Sequence, residues 1–325
     1  MTNHTMNGMR LPNFLIVGAP KSGTTSLWAY LKQHPEVFLC FPKEPTFFGH
    51  EGETGLFNGP GDNNEIYRTR MVTRLDAYTR LFDGVTTEKA IGDASIFHLY
   101  LPKAPLNIKK YVPKANMFAI LRNPADRAYS NYLHLARQMR EPCSFTEALR
   151  EEPARIKNNW NEFWHYKSIG FYYAQVKRYF DTFSREQVRI YLLEDLKSDM
   201  PSVLKSMFEI MGVDSSFVPD MSKKWNEGYM PKSAAREKFF YKLKNIAKRS
   251  DKHLPRPASS ALRKVLGAVA RLEKPANLPP PAMPEDVRAS LLEEYREDIL
   301  KLQDLLRRDL THWLNPVAET AMSEA

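Results

Sequence analysis

Residues 13–34 constrain this chain most. Four apolar residues, Phe14-Leu15-Ile16-Val17, run into Gly18-Ala19-Pro20-Lys21-Ser22-Gly23-Thr24-Thr25-Ser26. A helical pattern follows, with Leu27 and Leu31 four apart. The short apolar run reads as a buried strand, and the Gly, Pro and hydroxyl residues read as a tight loop opening a helix. Amides at a helix start lack intrahelical partners and sit at the positive end of the dipole, so such a junction suits an anion such as phosphate. Gly18 and Gly23 have the spacing of the glycines in G-x-x-x-x-G-K-[ST]. Thr24 stands at the lysine position, however, and Lys21 lies inside the loop. The pattern predicts a phosphate loop of an unusual kind.

Further strands and helices alternate after it. Helix is predicted over 25–33, strand over 37–40, helix over 75–82, strand over 90–95 and helix over 105–111, with 34–50 mostly loop and 51–64 an exposed loop. Residues 116–121 form a second clear buried strand, which runs straight into Arg122-Asn123-Pro124-Ala125-Asp126-Arg127-Ala128-Tyr129-Ser130. Asn123 suits an N-cap and Pro124 a first helical position. Helices at about 144–151, 168–182 and 200–211 bracket a third strand, 188–193. This alternation predicts an α/β fold, a P-loop-type parallel sheet flanked by helices. Residues 222–283 are rich in Lys, Arg and Pro, with helical pattern only at 237–248 and 259–272, and read as a mobile cover or partly disordered segment. A C-terminal helix over 284–314 carries Val287, Leu291, Tyr295, Ile299, Leu302, Leu306, Leu310 and Trp313 at steps of three or four, a stripe for which docking on the domain is the simpler reading and a dimer contact the alternative. One domain over residues 1–325 is expected, its core at about 12–230.

The hydrophobic fraction of 43% excludes a disordered chain; the net charge of +9 suits an anionic ligand, a nucleic acid or a membrane surface, and for most of these charges a solvated surface is the simpler reading. Two cysteines, Cys40 and Cys143, form neither a disulfide framework nor a metal quartet, and read as isolated buried thiols. No apolar run reaches the length of a membrane span, and residues 1–10 lack a signal-peptide core, so a soluble cytoplasmic protein is expected. The basic segment lacks the interleaved aromatics and motifs of a nucleic-acid binder.

Both strong strand-to-helix junctions open at carboxyl ends of strands, where α/β sheets bind ligands. The first offers amides, Lys21 and the hydroxyls of Ser22, Thr24, Thr25 and Ser26; the second offers Arg122 and Ser130. Together they suit a ligand with separate phosphates. In these two junctions, in Lys43-Glu44-Pro45-Thr46-Phe47-Phe48, in Gly92-Asp93-Ala94-Ser95 and in Leu193-Glu194-Asp195-Leu196, the chain resembles sulfotransferases that use 3′-phosphoadenosine 5′-phosphosulfate (PAPS), bacterial members and the heparan-sulfate-modifying branch above all. The resemblance spans about residues 12–230 and returns in the final helix.

The resemblance implies that residues 22–26, Gly23 included, hold the 5′-phosphosulfate, that Arg122 and Ser130 hold the 3′-phosphate, and that Lys21 faces the oxygen bridging phosphorus and sulfur. It implies PAPS as co-substrate, 3′,5′-adenosine bisphosphate (PAP) as product, no metal, and Glu44 as the base that deprotonates the acceptor. His98 is a second base candidate, because free imidazole titrates near working pH. Asp93 and Ser95 are expected on the acceptor side. The acceptor is expected to be a small metabolite, lipid or carbohydrate with a hydroxyl or amine. The chain departs from the glycan-modifying pattern at Ala94, where that branch has Lys, and lacks the Lys-Gly loop that covers the donor in many members; Lys232 or Arg236 could replace it. A P-loop kinase or NTPase is the alternative, but it would want Lys at 24. A degenerate nucleotide-binding protein would not need Lys21, Arg122 and Ser130 together.

Overall fold

Short apolar strands in a parallel sheet must be covered on both faces, and the chain does this with helices. The computed structural model describes residues 5–6, 9–53, 57–59, 70–222 and 279–315. A two-residue antiparallel pair, β1 (Thr5–Met6) and β2 (Met9–Arg10), comes first. There follow β3 (Phe14–Gly18), α1 (Thr24–Leu31), β4 (Val37–Leu39), α2 (Phe47–His50), α3 (Leu75–Thr79, continued by a 3₁₀ turn Arg80–Phe82), β5 (Ala90–Asp93), α4 (Ala104–Tyr111) and β6 (Asn116–Leu121). The remainder is α5 (Pro124–Arg137), α6 (Phe145–Lys157), α7 (Tyr172–Thr182), β7 (Val188–Leu192), α8 (Leu193–Met211) and α9 (Glu285–Leu306).

The sheet order is β4-β5-β3-β6-β7, all parallel, which is the predicted α/β class. Successive residues of β3 face opposite sides. Phe14 and Ile16 pack with Leu27, Leu31, Phe118 and Phe208. Leu15 and Val17 belong to the buried cluster on the other side, which includes Phe47, Tyr78, Leu121 and Tyr295. The chain leaves β3 toward β4 and β5 on one side and returns to β6 on the other, so the order reverses beside β3, where such folds bind ligands.

The C-terminal stripe docks as expected, with Leu291, Tyr295, Ile299 and Leu302 buried. The Tyr295 hydroxyl donates to the Lys167 carbonyl at 2.8 Å. The helix stops at Leu306, with Arg307 left-handed at its C-cap, so Leu310 and Trp313 are buried beyond the helix in and before a 3₁₀ turn. Arg308 pairs with Asp195 through both carboxylate oxygens, at 2.5 and 2.7 Å. Asn123 caps α5 by accepting the Ala125 and Asp126 amides, at 3.0 and 3.3 Å, and donates to the Trp313 carbonyl at 2.8 Å. The C-terminal segment thereby braces the second junction.

Several boundaries differ from expectation. α8 is two helical pieces joined at Asp199, whose backbone is not helical (φ −152°). The second piece begins at about 200 as expected, with Asp199 Oδ1 accepting the Ser202 amide at 3.1 Å and Pro201 in its first turn. The first piece, from Leu193, falls outside the predicted helices and is capped by Asp195, which accepts the Leu192 amide at 2.8 Å. α6 continues to Lys157 through Pro153, and α7 starts at Tyr172 after a 3₁₀ turn at Ser168–Gly170. Phe47–His50 is helical within a stretch read as loop. Cys40 is buried, but Cys143 is only half-buried; both are free. The expectations for 54–56, 60–69 and 223–278, including Lys232 and Arg236, lie outside the described residues. Among the described residues, no helix is long and apolar enough to cross a membrane.

Candidate active site

The first junction is shaped by backbone. β3 ends at Gly18, where a Cβ would lie 2.8 Å from that of Leu99. Lys21 is left-handed at φ 68°, and Gly23, at φ 84°, is the N-cap of α1. Glycine has no side chain to cap the helix, so the first-turn amides are left for a ligand. Ser22 is fully buried, and its Oγ has no hydrogen-bond partner among the described residues. Thr24 is buried, whereas Thr25 and Ser26 are half-buried on the first turn. A buried hydroxyl and bare amides around one loop fit a bound anion.

The second junction reaches across to the first: Arg122 Nη1 donates to the Lys21 carbonyl at 3.3 Å. Ser130 lies half-buried on α5. The Lys21 ammonium is held down to about 8, chiefly by burial, then by Arg137 and Arg122, while Glu44 acts the other way. His134, on α5, is driven to about 3 by burial and by Lys21, Arg137 and Arg140. Lys21, Arg122, Arg137 and Arg140 therefore form a field of cations that an anionic ligand would relieve. Sequence reasoning missed His134, Arg137 and Arg140. His134 and Arg137 stand four and seven positions after Ser130, on the same helical face, and that spacing was the available signal.

Glu44 lies across from this field. Lys43 bridges the two sides: its ammonium donates to Thr25 Oγ1 at 3.2 Å and lies 3.4 Å from Glu44 Oε1. The Glu44 side chain is 17% exposed. Glu44 and Thr46 are both left-handed, at φ 66° and 56°, though neither is glycine. Such residues cost about 1–3 kcal/mol each and persist where their surroundings over-determine them. Here the surroundings are polar and buried. Ser95 Oγ accepts the Thr46 amide at 2.9 Å and donates to Asp93 Oδ1 at 2.7 Å, and the Tyr78 hydroxyl donates to Asp93 Oδ2 at 2.8 Å.

This geometry corrects two expectations. Asp93 and Ser95 have no exposed surface, so they lie behind the Glu44 loop rather than lining an acceptor site. His98 is also wholly buried, edge-on to Phe48 at 5.6 Å between ring centroids, and burial lowers it to about 3. A sealed imidazole of such low basicity is a core residue, not an accessible base. A surface cavity of about 380 Å³, lined by Pro201, Leu204, Lys205 and Phe217, shares no residue with this site. Among the described residues, no cluster of three or more His, Cys, Asp or Glu could hold a metal ion.

A parallel sheet whose order reverses beside such a loop, with cations at the neighbouring strand end, is an arrangement at which α/β proteins bind nucleotides and phosphates. Residues 11–254 match the sulfotransferase domain family, and the chain belongs to that family. The bifunctional heparan sulfate N-deacetylase/N-sulfotransferase 3 of Homo sapiens is 30% identical over 212 residues, covering 63% of this chain and 22% of the relative. The corresponding enzyme 4 of Mus musculus is 28% identical over 218 residues, covering 62% and 22%. The chain thus spans about a fifth of the length of these curated relatives. A sulfotransferase from Alicyclobacillus acidocaldarius superposes with a TM-score of 0.71 at 34% identity, covering 94% of this chain and all of that one.

Proposed function

We propose that this sulfotransferase moves a sulfuryl group from PAPS to a hydroxyl or amine of a small or carbohydrate acceptor. The observation that carries the reading is the meeting of Lys21, Arg122 and Glu44 beyond the carboxyl ends of the strands. The amides of 22–26, with the hydroxyls of Ser22, Thr24, Thr25 and Ser26, would hold the phosphosulfate, and Arg122 with Ser130 the 3′-phosphate. Lys21 stabilises the negative charge that grows on the departing phosphate as the sulfur–oxygen bond breaks. Glu44 takes the proton that the acceptor loses as its oxygen or nitrogen bonds to sulfur. The curated relatives are named as N-sulfotransferases of heparan sulfate, which supports an amine on a glycan as one acceptor to try; Ala94, in place of that branch's Lys, argues for trying a simple hydroxyl beside it.

Thermal unfolding with PAP, against ATP and Mg²⁺, tests the donor site. At 100 times its Kd a ligand adds ~2.7 kcal/mol, or roughly 4 °C in Tm for a chain this long. A shift with PAP alone is the expected result. A shift with ATP–Mg²⁺ alone would return the loop to a kinase or NTPase, and none with either would leave a degenerate domain.

A further inference from the structure

We propose that Tyr78, Asp93 and Ser95 form a buried relay of hydrogen bonds that positions Glu44, and that turnover depends on it although none of the three touches a substrate. The inference rests on the reading that Glu44 receives the acceptor's proton.

The direction of the bonds carries the argument. Each oxygen of Asp93 accepts one hydroxyl, Ser95 on Oδ1 and Tyr78 on Oδ2. The single Ser95 proton is committed there, which leaves its oxygen to accept from the Thr46 amide. An ionised carboxylate takes both hydroxyls on full-strength acceptor oxygens, with no proton of its own to place. Pro45 has no amide to tie down, so Thr46 N is the first amide after Glu44 that can anchor the loop. The Pro45 carbonyl accepts the Val72 amide at 2.8 Å, and Lys43 holds the outer side against Thr25. Glu44 is therefore fixed at a left-handed backbone by anchors on both flanks, and the inner anchor ends on Asp93 at the tip of β5.

The groups facing Asp93 are Tyr78 from α3, Cys40 after β4, Ser95 and Glu44. Burial raises its carboxyl to about 6, and the Glu44 charge adds to this. Below that pH one oxygen carries a proton, which weakens the bond that oxygen accepts and loosens the relay.

The test is a double-mutant cycle of Glu44→Gln and Ser95→Ala. Transfer from PAPS is followed to a free-amine glucosamine oligosaccharide, to a phenol and to water. PAP affinity and deuterium uptake at Thr46 are measured alongside. Glu44→Gln should lower kcat by ~10²-fold. Ser95→Ala should lower it about tenfold, the size of one net hydrogen bond, with donor KM and PAP Kd unchanged and faster exchange at Thr46. In the Glu44→Gln background, Ser95→Ala should cost nothing more, because the two act as one unit. Tyr78→Phe, which keeps the Ser95 bonds, should give a smaller loss and shift the acid limb of the pH profile. A slow Glu44→Gln with an unimpaired Ser95→Ala, or with losses that simply multiply, overturns the relay alone. Full kcat in Glu44→Gln overturns the reading of Glu44, and the relay's role in turnover with it.

Discussion

The loop between β3 and α1 and the loop leading into α2 meet at Lys43, yet they are built by different means. The first is a backbone structure: Lys21 and Gly23 are left-handed, and the first amides of α1 are left bare. The second is held by side chains, through Ser95, Asp93 and Tyr78 beneath Thr46. A backbone cradle needs particular residue types at fixed spacing, so it can be found by reading along the chain. A side-chain relay joins residues dozens of positions apart and has no local signature. The two should also fail differently: damage to the first shows in anion binding, damage to the second in turnover.

Lys21→Ala should have the largest effect. Turnover should fall by ~10³-fold, the loss of a fixed charge at the leaving group, and PAP should bind less tightly. Thermal stability without ligand should hold or rise, since the ammonium is crowded by Arg137 and Arg122. Steady-state kinetics beside a melting curve checks this. A variant that bound PAP normally and lost only turnover would erase the contrast between the loops.

The same contrast explains what the sequence discloses. The ends of β3 and β6 are legible, because apolar runs stop abruptly at Gly18 and before Arg122. Asn123-Pro124 announces α5, and the observed cap agrees. In α8 the piece after the Asp199 kink is legible from Pro201, but the piece that starts at Leu193 is not, because its capping Asp195 owes part of its setting to distant Arg308. The burial of His98 and Asp93 is likewise tertiary: it depends on Phe48, Tyr78 and Thr46 arriving from elsewhere in the chain. His134 and Arg137 lie between, on a readable helical face whose importance appears only once Lys21 is opposite it.

Gly23→Ala sharpens the contrast at moderate cost. A Cβ there lies 3.1 Å from Leu193 Cδ1, and φ 84° is strained for any L side chain. A penalty of about 1–2 kcal/mol should lower Tm by roughly 1–3 °C. PAP affinity should fall several-fold as the bare amides shift, while deuterium uptake at Thr46 stays unchanged. Uptake that rose there would mean that Lys43 couples the two loops into one unit.

The smallest effect is in protons, and it separates the loops by pH. Lys21 titrates at about 8 in the folded chain, against 10.5 unperturbed. Between those values the unfolded chain binds more protons, so this group makes stability rise with pH across about 8–10.5. Asp93 is raised to about 6 from 3.8, so the folded chain binds more protons between them, and its contribution to stability falls as pH rises across about 4–6. An anion beside Lys21 should lift its pKa, so PAP binding at pH 8.5 should take up a fraction of a proton and weaken as pH climbs further. Calorimetry in two buffers of different ionisation enthalpy reads that uptake. It should vanish in Lys21→Ala and survive in Ser95→Ala, because only the first removes the group whose field the ligand changes. Uptake lost in both would mean that the charge of Glu44, displaced when its anchor is cut, sets the affinity of the anion loop as strongly as Lys21 does.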